Sequence, residues 1–94
     1  GRLSAEFYFV SGNGFSADAG LSGDNFFELE LKRLCADRAK KIVALIDSTK
    51  LGADSASSFI PAEKIDYLVT DSGASPESVA LCRAKGIEVL IADV

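Results

Sequence analysis

An acidic and a basic side chain, Asp47 and Lys50, stand three residues apart directly after an apolar run. That run, residues 42–46, reads Ile-Val-Ala-Leu-Ile, which is typical of a strand covered on both faces of a parallel sheet. Such sheets bind ligands beyond the carboxyl ends of their strands. Asp47 and Lys50 are therefore candidate ligand-binding residues. The residues alone also allow a simpler interpretation, in which Asp47 caps the following turn and Lys50 is solvated.

A second apolar run ends in the same way. Residues 67–71 read Tyr-Leu-Val-Thr-Asp, so Asp71 follows a strand just as Asp47 does. If the two strands are parallel members of one sheet, both acids lie at the same edge and face one crevice. The alternative for Asp71 is an Asx-type cap of the turn at residues 72–73.

Length and composition limit the class of protein. The chain has 94 residues, 48% of them hydrophobic, and a net charge of −4, so we expect one small globular domain without the basic surface of a nucleic-acid-binding protein. The apolar runs are too short to span a bilayer, and we expect a soluble cytoplasmic protein that makes no membrane contact. Because the chain begins with Gly1 and contains no methionine, we expect a processed or excised part of a longer protein.

Several kinds of catalysis are excluded within this chain. It contains no histidine, so Ser-His-Asp and Cys-His mechanisms and the commonest metal ligand are missing. Cys35 and Cys82 do not form a C-x-x-C pair, and both are interpreted as reduced thiols in the core. We expect no catalytic residue, no metal site and no cofactor.

The order of elements predicts an α/β fold. Strands are expected at residues 5–10, 42–46, 67–71 and 87–92, with a glycine loop after the first. One helix should run from Asn25 to about Lys40, with an apolar stripe that faces the core; its members are Phe27, Leu31, Leu34 and Cys35. A second helix should begin at Ser75-Pro76 and end at Gly86. Strands that alternate with helical crossovers indicate a parallel sheet.

The glycine loop invites a nucleotide-binding interpretation. Gly12, Gly14 and Ala17 match G-x-G-x-x-A after a strand, and Asp47 could serve as the ribose-binding acid. That fingerprint requires a helix that begins at the motif, whereas the helical pattern starts only at Asn25. A Rossmann-like module and a surface turn without a ligand therefore both remain as alternatives.

Five short blocks stand in a fixed order along the chain. They are residues 14–16 (Gly-Phe-Ser), 20–22 (Gly-Leu-Ser), 30–33 (Glu-Leu-Lys-Arg), 47–52 (Asp-Ser-Thr-Lys-Leu-Gly) and 65–71 (Ile-Asp-Tyr-Leu-Val-Thr-Asp). Together they resemble the effector-sensing domain of DeoR-family transcriptional regulators. The resemblance runs from about Glu6 to Ile91.

The resemblance implies a fold and a function. The fold would be an incomplete domain similar to ribose-5-phosphate isomerase and glucosamine-6-phosphate deaminase, in which residues 1–94 form the C-terminal portion of a sugar-phosphate-sensing domain. The function would be non-catalytic: a phosphorylated sugar is the effector, and an N-terminal helix-turn-helix outside this chain binds DNA, usually to repress catabolic operons. A regulator that reads palindromic sites would be a homo-oligomer, at least a dimer.

The resemblance also assigns residues. Asp47 and Lys50 match the family's Asp-x-x-Lys, where the carboxylate would accept sugar hydroxyls and the ammonium would meet phosphate. Lys32 matches the Lys-Arg of the family pattern and would reach the ligand from the helix, although a solvated charge on an exposed helix face remains the alternative. Asp71 would also contact the ligand, and Gly14 and Gly20 would lie beside the site, more to shape the loop than to touch it. A fragment of a sugar-phosphate isomerase or deaminase remains an alternative, although the missing histidine counts against it.

Overall fold

Four parallel strands form the main sheet of this protein. The computed structural model describes residues 5–93. Its elements are β1 (Ala5–Val10), β2 (Gly14–Ser16), β3 (Gly20–Gly23), α1 (Phe26–Asp37), β4 (Ala39–Leu45), β5 (Ser57–Ile60), a short 3₁₀ helix (Ala62–Lys64), β6 (Tyr67–Asp71), α2 (Pro76–Ala84) and β7 (Glu88–Ala92). The main sheet has the order β1-β4-β6-β7, and each pairing is parallel. The predicted α/β fold with helical crossovers is confirmed.

Both long helices cover the same face of this sheet, which we call the inner face. Its strand residues are buried: Val10, Ile42, Ala44, Leu68 and Val89. Leu29 of α1 and Val79 of α2 join them in one hydrophobic core. This arrangement follows from right-handed crossovers between strands that advance in one direction across the sheet. None of the helices among residues 5–93 has the length and apolar character that crossing a bilayer would require.

The glycine loop is a β-hairpin, which the sequence did not predict. β2 and β3 pair antiparallel, and β3 pairs with β5, which is not among the strands expected from the sequence. Phe15, Leu21 and Ile60 of this small sheet are almost completely buried. Because α1 begins at Phe26 and not at the glycine motif, no helix amino terminus is available there for a pyrophosphate. The nucleotide-binding interpretation thus lacks the feature on which it depends.

The helix ends are largely as predicted. The Asn25 side chain accepts a hydrogen bond from the Glu28 amide at 3.0 Å, and the Ser75 hydroxyl accepts one from the Ser78 amide at 3.1 Å. Gly86 follows α2 with a φ of +89°. The expected end of α1 near Lys40 is wrong, because the helix stops at Asp37 and β4 already begins at Ala39.

The predicted core face of α1 is also wrong. Phe27 is 73% exposed, and Leu31, Leu34 and Cys35 are exposed with it. The buried residues are Leu29 and Ala36, which lie on the opposite side of a helix with about 3.6 residues per turn. Both sides of α1 carry apolar residues, and the prediction chose the side with the larger apolar side chains. Cys82 is buried as expected, and burial raises its pKa.

Gly20 offers a test of the hairpin geometry. It has a φ of +75°, and a Cβ at this position would overlap the Ile60 carbonyl oxygen, whereas a Cβ on Gly86 would meet no atom within 4 Å. Gly86→Ala should therefore lower the free energy of unfolding only by the strain of the left-handed backbone, about 1–2 kcal/mol. Gly20→Ala adds the overlap and should cost at least about 1 kcal/mol more. Urea denaturation measures both, and equal losses would contradict the described hairpin packing.

Candidate functional site

Asp47 and Asp71 lie at the same edge of the main sheet, as predicted. β4 and β6 are adjacent and parallel, with Leu45 opposite Val69, so their carboxyl ends coincide. The Ile46 amide extends this pairing by donating to the Val69 carbonyl oxygen at 3.0 Å. The segment that follows β4 and the end of β6 are therefore neighbours at the edge where α/β sheets bind ligands.

Residues 47–52 form a turn that presents a carboxylate and an ammonium together. The Lys50 amide donates to the Asp47 carbonyl oxygen at 3.0 Å, which closes the turn. The Asp47 side chain accepts hydrogen bonds from both the amide and the hydroxyl of Thr49. Its other oxygen, Oδ2, lies 3.5 Å from Lys50 Nζ, and the two side chains are 51% and 45% exposed. The capping role of Asp47 is therefore confirmed, and Asp47 also forms a solvent-exposed ion pair with Lys50.

Asp47 is held in its charged form. The hydroxyl of Thr49 is the largest cause that lowers the pKa of Asp47, and the Thr49 amide and the Lys50 ammonium lower it further. At neutral pH this carboxylate can only accept hydrogen bonds. The site thus offers an acceptor and a point positive charge side by side.

Asp71 ties the turn to the end of β6. Its Oδ2 accepts a hydrogen bond from the Ser48 amide at 2.8 Å, and its Oδ1 accepts one from the Gly73 amide at 2.9 Å. The bond from Ser48 is the largest cause that lowers the pKa of Asp71. The Asx-type cap is confirmed, and Asp71 has a second role that the sequence did not predict, since it also positions the 47–52 turn. Contact between Asp71 and a ligand stays a prediction.

The hairpin holds the other side of the turn. The Phe15 amide donates to the Lys50 carbonyl oxygen at 3.0 Å, and the Gly52 amide donates to the Phe15 carbonyl oxygen at 2.6 Å. Gly14 is buried next to Phe15, and the Ala53 carbonyl oxygen occupies the space that a Cβ on Gly14 would need. Gly14 and Gly20 therefore both shape the hairpin, and their contact with a ligand stays a prediction.

Lys32 reaches the same edge from α1. Its ammonium donates to the Ser11 carbonyl oxygen at 2.8 Å and lies 5.7 Å from the centroid of the Phe59 ring. Ser11 follows Val10, which is paired with Ala44 of β4, so Lys32 sits at the carboxyl end of the neighbouring strand. Its participation in ligand binding stays a prediction.

A cleft of about 460 Å³ borders the turn on the side of α2. Ser16, Gly52, Asp54 and Ser78 are among its lining residues, and the Ser16 hydroxyl donates to Asp54 at 2.7 Å. None of the predicted site residues lines this cleft, and the sequence did not predict it because one of its walls is the unrecognised hairpin. The signal that could have revealed it was the alternation of small residues around Phe15 and Leu21, two apolar residues inside a glycine-rich segment.

A parallel α/β sheet with an exposed acid-base pair at the carboxyl ends of its strands is typical of a small-molecule-binding domain. Comparison with known proteins defines the family. The family model for the DeoR C-terminal sensor domain matches residues 1–72. The chain belongs to this family, which confirms the resemblance seen in the sequence.

Three proteins similar to this chain are transcriptional regulators. The chain is 41% identical over 92 residues to the HTH-type transcriptional regulator GolR of Listeria innocua, a match that covers 98% of the chain and 36% of GolR. It is 32% identical to the HTH-type transcriptional regulator UlaR of Salmonella arizonae, over 81% of the chain and 32% of UlaR. The corresponding values for the HTH-type transcriptional regulator GlpR of Haloferax volcanii are 29%, 95% and 35%. The chain thus spans about a third of the length of these relatives.

The hydrogen bonds of Asp71 predict a pH-dependent contribution to stability. Because the folded-state pKa lies below the unfolded value of about 3.9, this stability is present above that pH and is lost as the pH falls through the lowered folded value. Asp71→Asn should therefore be less stable than the wild type at neutral pH, and the two should converge in acid. Urea denaturation across a pH series measures this. Asp18→Asn, at an exposed position of the hairpin, is the control for the loss of a carboxylate as such. A constant gap between wild type and Asp71→Asn at every pH would contradict the assignment.

Proposed function

We propose that this chain is the effector-sensing part of a DNA-binding transcriptional regulator and that its effector is a phosphorylated sugar. Family membership supports the sensing role. The observation that carries the choice of ligand is the exposed Asp47–Lys50 pair, 3.5 Å apart at the carboxyl edge of the sheet. A sugar phosphate combines hydroxyl donors with an anion, which are the complements of these two side chains.

The ion pair is suited to being opened by a ligand. Exposed pairs of this kind contribute only about 0–1 kcal/mol, so a phosphate can replace Asp47 as the partner of Lys50 at small cost. The hydrogen bonds from Thr49, whose hydroxyl is the largest cause that lowers the pKa of Asp47, do not depend on Lys50 and remain after the exchange. The Asp47 carboxylate is then available for sugar hydroxyls, and Lys32 at the next strand end would add a second positive charge.

The remaining parts of the proposal concern the longer protein. Residues 1–94 would be the C-terminal portion of its sensing domain, and an N-terminal helix-turn-helix would bind DNA. Effector binding would shift the population between DNA-bound and released states of a repressor of sugar catabolism. A palindromic operator would require at least a homodimer.

The electrostatics favour binding over catalysis. An isomerase or deaminase that abstracts a proton next to a carbonyl needs a base whose pKa lies near the working pH. Asp47 and Asp71 show the opposite trend, since hydrogen bonds lower the pKa of each. They act as fixed acceptors, which suits recognition of hydroxyl groups.

Lys50→Ala in the intact regulator tests the proposed phosphate contact. Loss of a charge-assisted contact worth about 1.5–3 kcal/mol should weaken effector affinity about tenfold to a hundredfold, while operator binding without effector is retained. The control is Lys64→Ala, because Lys64 forms a similar exposed pair with Asp37 at 3.8 Å but precedes β6 at the amino edge of the sheet. It should leave the effector response unchanged. Operator binding titrated with a panel of sugar phosphates is the measurement.

Asp47→Asn tests the other half of the site. The amide keeps the volume but adds a donor where hydroxyl donors should bind, so the affinity for the effector should fall in the same titration. Thermal melts identify variants that have lost their fold. An unchanged effector response in folded Lys50→Ala and Asp47→Asn proteins would overturn the site assignment.

A further inference from the structure

The side of α1 that points away from the main sheet is apolar and exposed. We call it the outward face of α1; its members are Phe27, Leu31, Leu34 and Cys35. Phe27 is 73% exposed, Leu34 58% and Leu31 49%, and the Cys35 thiol is exposed with them. Spacings of three and four residues place these side chains along one stripe of the helix. A contiguous apolar stripe on a folded surface marks an interaction site.

The position of α1 in the fold limits what can cover this stripe. The opposite side of the helix, which carries Leu29 and Ala36, is packed in the hydrophobic core against the sheet. Domains are built from two or three layers of secondary structure, so a layer of helices on a sheet is normally the outermost one. A cover for the outward face of α1 therefore comes from a separate folded unit and not from a further layer of the same domain.

The charges at the two ends of α1 indicate which unit this is. Asp24 and Glu28 are exposed at the amino end of the helix, and Arg38 is exposed at its carboxyl end. The ion pairs within residues 5–93 involve none of these three side chains. If two α1 helices lie antiparallel, the acidic end of each copy meets the basic end of the other. The outward face of α1 is thus complementary to itself, which is the requirement for a two-fold dimer.

We propose that the outward face of α1 is a dimer interface, at which two copies of this protein pack their α1 helices antiparallel about a two-fold axis at Leu31. Leu31 lies seven residues from both Asp24 and Arg38, so this axis places Asp24 opposite Arg38 of the partner subunit. It also places each Leu31 opposite its own copy. The proposal specifies the surface of the homodimer, and it rests on the proposed function for the two-fold symmetry that a palindromic operator requires.

Disulfide cross-linking of the intact regulator tests the position of the axis. In a Cys35→Ser background, which removes the exposed native thiol, Leu31→Cys places one thiol from each copy at the axis. Helices that pack about 8–10 Å apart bring two such residues within the span of a disulfide. Leu81→Cys is the matched control, because Leu81 is a leucine of α2 with 55% exposure. Under mild oxidation, Leu31→Cys should give at least about tenfold more covalent dimer than Leu81→Cys or the background protein.

Charge reversal tests the antiparallel direction of the helices. Arg38→Glu places like charges at both ends of the interface and should weaken the dimer at least about tenfold, as should Asp24→Lys. The double variant should recover the affinity, because opposite charges face each other again. Lys40→Glu, at an exposed position at the start of β4, makes the same change in net charge and should leave the dimer unchanged. Sedimentation equilibrium measures the four dissociation constants.

The outcomes separate the possible occupants. Selective cross-linking at residue 31 without effector or operator, together with recovery in the double variant, supports the dimer. Absence of cross-linking, or equal cross-linking of Leu31→Cys and Leu81→Cys, would overturn the proposal. A Leu31→Cys thiol that neither cross-links nor reacts with a maleimide would assign the face to another part of the same polypeptide and would also overturn it.

Failure of this interface is distinguishable from failure of the proposed function. A regulator that is dimeric by light scattering and responds to its effector, but does not cross-link at residue 31, would contradict only the α1 interface. An effector response that is unchanged in Lys50→Ala would contradict only the effector site, since cross-linking is measured without effector.

Discussion

The hydrogen bond from the Ser48 amide to the Asp71 carboxylate is the contact on which the candidate site depends. It joins the segment after β4 to the end of β6 at 2.8 Å, and with the pairing of those two strands it fixes where the 47–52 turn lies. Within the turn, Asp47 is capped by Thr49 and faces Lys50. The two charges of the site are thus placed by main-chain groups and by Asp71, whose two carboxylate oxygens each accept a main-chain hydrogen bond.

The main sheet could be predicted from sequence because its signals are strong and local. Residues 42–46 and 67–71 are continuous apolar runs, and the caps at Asn25 and Ser75 use side chains with a known preference for these positions. The small sheet could not be predicted, since β2 and β5 are only three and four residues long and β3 reads Gly-Leu-Ser-Gly. Glycine and serine carry little strand propensity, and the pairing of β3 with β5 is set by tertiary packing.

The candidate site could likewise be predicted only in part. The positions of Asp47 and Asp71 at one sheet edge followed from parallel topology alone. The roles of Phe15 and Ser48 in positioning the turn could not be predicted. Both residues use main-chain groups, which do not depend on the residue type. The predicted orientation of α1 is wrong for another reason. Its two sides both carry apolar residues, and the packing of α1 against β1, β4 and β5 decides which side is buried.

The two hydrogen bonds between Phe15 and the 47–52 turn have a mechanical consequence. β2 is bonded to β3, and β3 to β5, so the turn is bonded to one end of a three-stranded antiparallel sheet. At the other end of this sheet, β5 leads into the 3₁₀ helix Ala62–Lys64, which precedes β6 at the opposite edge of the main sheet. A displacement of the turn would therefore strain the hydrogen bonds of all three strands, and not those of the turn alone.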